Sequence, residues 1–249
     1  MGRQSLVRDP LSGYAALPMQ PQSGMSMYDQ LKSRLDAFER RMRAAFGSDI
    51  STPAGRRAAF WHFHLMDHAF LRILWTNMDE IAPGVWRSNQ PSPARLRRYR
   101  DMGIRTVLSL RGDGVSSHRL FEEEACEDLG LTLVTISLKA RGLVPRRRLL
   151  DLLDIFETIE KPFVMHCKSG SDRAGLASAL YLLHIEGKPV EEARKMLSWR
   201  YIHFRNSPTG VLDHMLDTYA ADIAEEPMPI RRWIETRYDS AAIEADFRS

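Results

Sequence analysis

Cysteine, lysine and long apolar runs are what this 249-residue chain has least of. Its only two cysteines, Cys126 and Cys167, exclude a disulfide framework and a cysteine-rich zinc site and point to a reducing compartment. No apolar run approaches the roughly 18 residues of a membrane span. The opening residues, MGRQSLVRDPLSGYAALP, hold no apolar signal core, and Leu6 stands where a myristoylation pattern needs Ser or Thr. The expected location is cytoplasmic, with any membrane contact peripheral at the inner surface. A net charge of +3 is too small to argue for nucleic acid, and no nucleic-acid partner is expected.

What the chain does have is arginine: 29 of its 35 basic residues. Arginine forks onto phosphate and carboxylate in a way lysine cannot, although a biased genome composition gives the same count. Residues 1–60 carry 9 basic and 5 acidic groups, and residues 221–249 carry 4 and 7, so both ends read as appendages to a nearly neutral body.

Residues 1–25 lack periodicity and read as a disordered tail. Residues 26–78 read as an N-terminal helical extension. Within it Leu31, Leu35, Phe38, Met42 and Phe46 recur at helical spacing, with arginines largely off the stripe. That amphipathic stretch, residues 28–46, fits packing on protein, or peripheral contact with an anionic membrane. A second apolar helix, 58–75, carries His64 and His68 on one face, but no third metal ligand is evident nearby, and core or surface histidines are the favoured reading. No metal or cofactor is expected.

From Asp79 strands and helices alternate, which predicts an α/β domain over 79–222, a central, mostly parallel sheet flanked by helices. Strands are expected at 84–88, 106–110, 131–138 and 163–167. Helices are expected at 91–102, 118–130, 145–160, 173–187, 190–201 and 209–223, with one more after Pro229 in the C-terminal segment 223–249.

The informative segment is FVMHCKSGSDRAGL, in which a buried strand runs into Cys167 and a helix begins near Arg173. A thiol ionises poorly at neutral pH unless a helix N-terminus or a guanidinium stabilises the thiolate, and Cys167 occupies such a position. Ser169, Gly170 and Ser171 are small enough to let the backbone curl into an anion nest at that helix start. Arg173 can then hold two phosphate oxygens at once. The Cys-to-Arg spacing alone carries little in so arginine-rich a chain. Its context makes it specific: His166 before the cysteine, Gly170 and Gly175, a strand before and a long helix after. Cys126 is the internal contrast, lying in the acidic helix EEEACEDLG where a thiolate is opposed.

HCKSGSDRAG resembles the HCxxGxxR[S/T]G signature loop of the protein tyrosine phosphatase superfamily. Residues 79–222 are similar to its dual-specificity branch, including bacterial members with an R-S-x-Q-P strand-turn, here Arg87-Ser88-Asn89-Gln90-Pro91. The resemblance implies Cys167 as nucleophile through a cysteinyl-phosphate, and Arg173 with Lys168, Ser169, Gly170 and Ser171 as phosphate binders. It also implies His166 as a residue orienting the loop, and no metal.

Two departures matter. The family places Ser or Thr after the arginine to support the thiolate as a leaving group, and here stands Ala174. The family's acid aspartate comes from a loop before the cysteine, and the corresponding KARGLVP (139–145) has no carboxylate. An alkoxide leaves poorly without a proton, so the acid must come from elsewhere. Asp172 is the favoured candidate, since myotubularin lipid phosphatases carry a similar Asp-Arg pair. Asp172 as a plain helix cap, Asp113 as the acid, and a site with no side-chain acid stay open. Lys168, Lys139 and Arg141 suit a second anionic group or are solvated surface charges. The expected partner is a phosphorylated protein or a phospholipid of phosphoinositide or phosphatidylglycerophosphate type. The rival reading is a pseudophosphatase, a module that reads phosphate without turning it over.

Overall fold

The computed structural model describes residues 50–61, 75–114 and 116–249. The readings of residues 1–25, of 28–46 with its membrane face, and of His64 and His68 lie outside those residues.

Five strands, β1 (Asp79–Ala82), β2 (Val85–Asn89), β3 (Thr106–Ser109), β4 (Thr132–Thr135) and β5 (Phe163–Cys167), form one sheet in the order β1-β2-β5-β3-β4. β1 pairs antiparallel with β2, and the other pairings are parallel, giving the mostly parallel sheet that the alternating pattern predicts. β3 and β5 are buried along their whole length, which is why TVLS and FVMHC read as unbroken apolar or β-branched runs rather than alternating ones. β5 lies at the centre. Its last residues pair with Asn89 of β2 and Ser109 of β3, so the carboxyl ends of three strands converge on Cys167.

The helices are α1 (Pro53–Trp61), α2 (Pro93–Asp101), α3 (Ser117–Leu129), α4 (Arg146–Thr158), α5 (Asp172–His184), α6 (Val190–Ala193), α7 (Val211–Glu225), α8 (Ile230–Thr236) and α9 (Ser240–Asp246). They cover both sheet faces. Phe163, Met165 and Cys167 join the larger core with α4, α5, α7 and α8, while Val164 joins Leu96 and Tyr99 of α2 and Ala125 and Cys126 of α3 in the smaller one. The two-residue period of a strand therefore sends Cys167 to one face and His166 to the other, toward α3. α5 is buried at every position from Ala174 to Leu182. Its Gly175 lets a neighbouring segment approach, since a Cβ there would lie 2.7 Å from the Met196 carbonyl oxygen.

Three expectations need correction. The stretch 190–201 is not one helix but α6 followed by two 3₁₀ turns, Arg194–Met196 and Trp199–Tyr201. The helical ladder is given up where the Met196 carbonyl accepts a hydrogen bond from Arg87 at 2.8 Å. The strand expected over 131–138 ends at Thr135, because the chain turns to make an isolated antiparallel bridge between Ser137 and Arg111. Ile136 and Leu138 stay buried, so the apolar pattern runs past the strand's end. The C-terminal stretch is no appendage either: it forms two helices, with Asp239 capping the second through the amides of Ala241 and Ala242, and Ile230, Trp233, Ile234, Tyr238 and Ile243 join the larger core.

Candidate active site

Cys167 ends β5 and is almost fully buried, and the four residues after it lead directly into α5. The carbonyls of that loop are all engaged from outside. Lys168 O accepts from the amide of Gln90 at 3.3 Å, and Ser169 O accepts from Asn77 Nδ2 at 3.1 Å. Gly170 O and Ser171 O accept from Arg87 Nη2 at 2.6 and 3.3 Å. In a planar trans peptide the N–H points opposite to the C=O. Four outward carbonyls therefore turn the amides of Ser169, Gly170, Ser171 and Asp172 into the concave side, the anion nest that the small residues suggested. Gly170 makes the curl: its φ is +70°, and a Cβ there would lie 2.7 Å from the Asn89 nitrogen.

Arg173 follows the nest at the start of α5, and its Nε is buried with no hydrogen-bond partner among the described residues. An unsatisfied buried guanidinium N–H is costly, and Arg87 Nε, Arg119 Nη1 and Arg194 Nε share that state among the described residues. Arg87 nevertheless has its two Nη atoms engaged. It is fully buried, reaches Gly170, Ser171 and Met196 carbonyls, and stacks on Tyr201, with its guanidinium carbon 3.7 Å from the ring centre. Burial pulls its pKa down to about 10, so it remains a cation at neutral pH. Tyr201 is fixed in turn by its hydroxyl to Asp79 of β1. Beneath the loop, His166 Nε2 lies 2.8 Å from Glu122 of α3, and Glu122 accepts from Gln90, which accepts from Arg111. His166 thus lies beside a buried polar chain of Glu122, Gln90 and Arg111, its Nε2 making no hydrogen bond among the described residues. Cys126 is buried on α3, and burial with the nearby Glu122 and Glu123 pushes its thiol up to about 12, which leaves it a bystander.

Asp172 is the first residue of α5 rather than its N-cap, and its carboxylate turns to His203, with Oδ1 2.8 Å from Nδ1. The Ser171 hydroxyl donates to Ile202 O at 2.6 Å. Ile202 holds a left-handed φ of 58°, unfavourable for a β-branched residue, and its side chain is nearly half exposed beside exposed Trp199 and Phe204. Lys168 is half-buried, while Asp113, Lys139 and Arg141 are exposed. The carboxylate-free loop 139–145 is tied down by the C-terminal helices, since Leu143 N donates to Glu244 at 2.7 Å and the Tyr238 hydroxyl donates to Val144 O at 2.6 Å. A cleft of about 700 Å³ lies between Arg141, Arg205 and Arg248 but takes no wall from the Cys167 loop.

The sequence reading names Cys167, Arg173, Asp172, His166 and the loop 168–171, and the structure places them together where β5 ends and α5 begins. That reading missed Asn77, Glu122 and His203, and gave Arg87 and Gln90 no role beyond a motif. All five lie far along the chain from the loop, where spacing is silent. The one signal present was that R-S-x-Q-P keeps an arginine and a glutamine on a strand otherwise destined for burial.

No protein-family model and no curated protein sequence matches the chain. Among solved structures it is similar to TpbA of P. aeruginosa, at 16% identity over 70% of this chain and 92% of that one, with a TM-score of 0.46. It is also similar to PTPMT1, at 20% over 60% and 99% with a TM-score of 0.44. The catalytic core of the PP-IP phosphatase SIW14 of S. cerevisiae follows at 16% over 60% and 91%, with a TM-score of 0.45. The likeness is one of fold alone.

Proposed function

We infer that this protein is a cysteine-dependent phosphomonoesterase. The observation that supports the reading is one short loop that joins a strand-end cysteine, carbonyls held from outside and Arg173 at the start of a buried helix. In the scheme, the Cys167 thiolate attacks phosphorus and the ester P–O bond breaks. The phosphoryl oxygens take the amides of residues 169–172 and the guanidinium of Arg173, which meet the charge of the transition state without reorganising. Asp172 protonates the leaving oxygen. Water then attacks phosphorus, the P–S bond breaks and the thiolate returns. Arg87 holds the loop in shape, with His166 close to Glu122 beneath it, and the scheme draws on protein groups alone.

The test is hydrolysis of an aryl phosphate by the wild type and by Cys167→Ser. The expected result is turnover by the wild type and loss of at least 10³-fold in the variant, in line with removal of an essential nucleophile. A wild type that binds phosphate compounds but turns over no better than the variant makes the protein a phosphate-reading module instead.

For the substrate, one observation favours a phospholipid over a phosphoprotein. Trp199, Ile202 and Phe204 are 82%, 46% and 58% exposed on the turn that buttresses the loop, and Arg200 and Arg205, also largely exposed, stand among them. Apolar tips with interspersed cations suit an anionic lipid surface. A panel of phosphopeptides and of phospholipids in vesicles, read with the wild type and with Trp199→Ala, tests it. Equal loss on soluble and vesicle substrates, or phosphopeptide preference, sinks the lipid reading.

A further inference from the structure

Asp172 does not face solvent alone. His203, 2% exposed, stands behind it with Nδ1 2.8 Å from Asp172 Oδ1 and Nε2 2.6 Å from Asp213 Oδ2 of α7. A carboxylate can only accept, so an imidazole with a carboxylate on each nitrogen donates from both and carries a positive charge. Burial opposes that charge, but the hydrogen bonds to Asp172 and Asp213 outweigh it and raise the ring to about 9. Arg194, Arg205 and Asp217 line the same recess, and Asp217 is already paired with both arginines, Arg194 at 2.7 Å. Asp172 and Asp213 are thus the two anions left to His203.

Building on the phosphatase reading, we propose that His203 is the proton store behind Asp172, so that the general acid is an Asp172–His203 couple positioned by Asp213. At rest the proton is on Nδ1. As Sγ of Cys167 bonds to phosphorus and the P–O ester bond breaks, that proton passes to the Asp172 carboxylate and from it to the leaving oxygen, leaving His203 neutral. When water attacks the cysteinyl-phosphate, its proton returns through Asp172 to Nδ1. His203 touches no substrate, which makes it a positioning and proton-supplying residue. The couple titrates as a unit. It explains how a carboxylate that donates nothing in its ionised form can serve as the acid on a loop whose usual acid position is empty of carboxylates.

The test is the pH dependence of kcat on an alkyl phosphate and on 4-nitrophenyl phosphate for the full chain and its Asp172→Asn, His203→Gln and Asp213→Asn variants. The alkyl rate of the wild type is expected to hold through neutral pH and fall as pH passes about 9. Asp213→Asn takes away one of the two anions and should move that alkaline limb at least about one pH unit toward acid. His203→Gln should lose about 10²-fold or more on the alkyl ester and at least tenfold less on the aryl ester, whose phenolate leaves with little help. An unmoved limb in Asp213→Asn, or equal losses on both esters in His203→Gln, overturns the couple. Should either variant fail to fold, an NMR titration of the His203 ring in the wild type decides: a midpoint near the ordinary histidine value of about 6.5 overturns it. Absence of Cys167-dependent aryl turnover would instead overturn the phosphatase reading, so the two failures are distinguishable.

Discussion

Arg87 and Gly170 lie 83 residues apart in the chain, yet the Arg87 guanidinium donates to the Gly170 carbonyl at 2.6 Å. Through the same side chain the second β-strand dictates the curvature of a loop that begins at the end of the fifth. Lysine at this position keeps the charge but not the fork that reaches Gly170, Ser171 and Met196 together. Arg87→Lys is therefore expected to lower kcat/KM on an aryl phosphate by about 10²-fold, a cost of roughly 3 kcal/mol in transition-state binding. Arg87→Ala should also destabilise the fold by about 3 kcal/mol or more, because the buried Gly170 carbonyl and the part-buried Met196 carbonyl lose this donor. Denaturant unfolding beside kinetics separates the two effects, and a fully active Arg87→Lys would mean that the loop holds its shape unaided.

How much of this was legible in sequence follows from the range of each signal. FVMHC announces a buried strand and HCKSGSDRAG a tight turn into a helix because the residues that cooperate are neighbours, and the observed β5 matches the expected segment residue for residue. The break of 190–201 was invisible, since its cause is a hydrogen bond from Arg87 to the Met196 carbonyl, 109 positions away. His203 sits in WRYIHFR, a segment without periodicity, and nothing local marks it as the partner of Asp172 and Asp213. The charge of the C-terminal stretch reads as an appendage, yet the helix expected after Pro229 is there, and its Trp233 and Ile234, with Tyr238, sit in the larger core.

Trp233 is the largest fully buried side chain, stacked edge-on against Tyr219 and Tyr238, with its indole N–H donating to Asp222 at 2.5 Å. Trp233→Ala is expected to cost about 3–5 kcal/mol of stability, the range for deleting a core aromatic. The effect should extend to the active site, since α8 and α9 lead to the contacts that fix loop 139–145. A thermal shift of under about 2 °C would show instead that these helices are dispensable.

Ala174 is fully buried directly after Arg173 and brings no hydroxyl to the loop. The nearby Ser171 hydroxyl is committed to Ile202 O, and that of Ser178 to Ala174 O at 2.7 Å. With no side-chain hydroxyl from these positions left to support the departing thiolate, hydrolysis of the cysteinyl-phosphate is expected to limit turnover. Rapid mixing with an aryl phosphate should therefore release a burst of about one phenol per active site before a slower steady state. Ala174→Ser should raise the steady-state rate about tenfold while leaving the burst rate within a factor of a few. Linear release from the first turnover in the wild type would show that the first step, not the second, is slow.

The His203 triad also makes a prediction about stability that needs no substrate. The ring's pKa is near 6.5 in an unfolded chain and about 9 in the native one, where burial opposes the charge and the hydrogen bonds to Asp172 and Asp213 favour it. Because the native value is the higher one, the native state binds the extra proton in the interval between the two. The stabilisation is fully present below about pH 6.5, declines across the interval and is lost as pH rises through about 9. A shift of that size corresponds to on the order of 3 kcal/mol. Unfolding free energy measured by denaturant at a series of pH values should therefore fall between pH 6.5 and 9.5 in the wild type. In His203→Gln most of that slope should vanish, leaving a protein less stable at pH 6 but closer to the wild type at pH 9.5. Were the ring neutral in the native state, the wild-type curve would be flat or rising over the same range, and the imidazolium between two carboxylates would have to be abandoned.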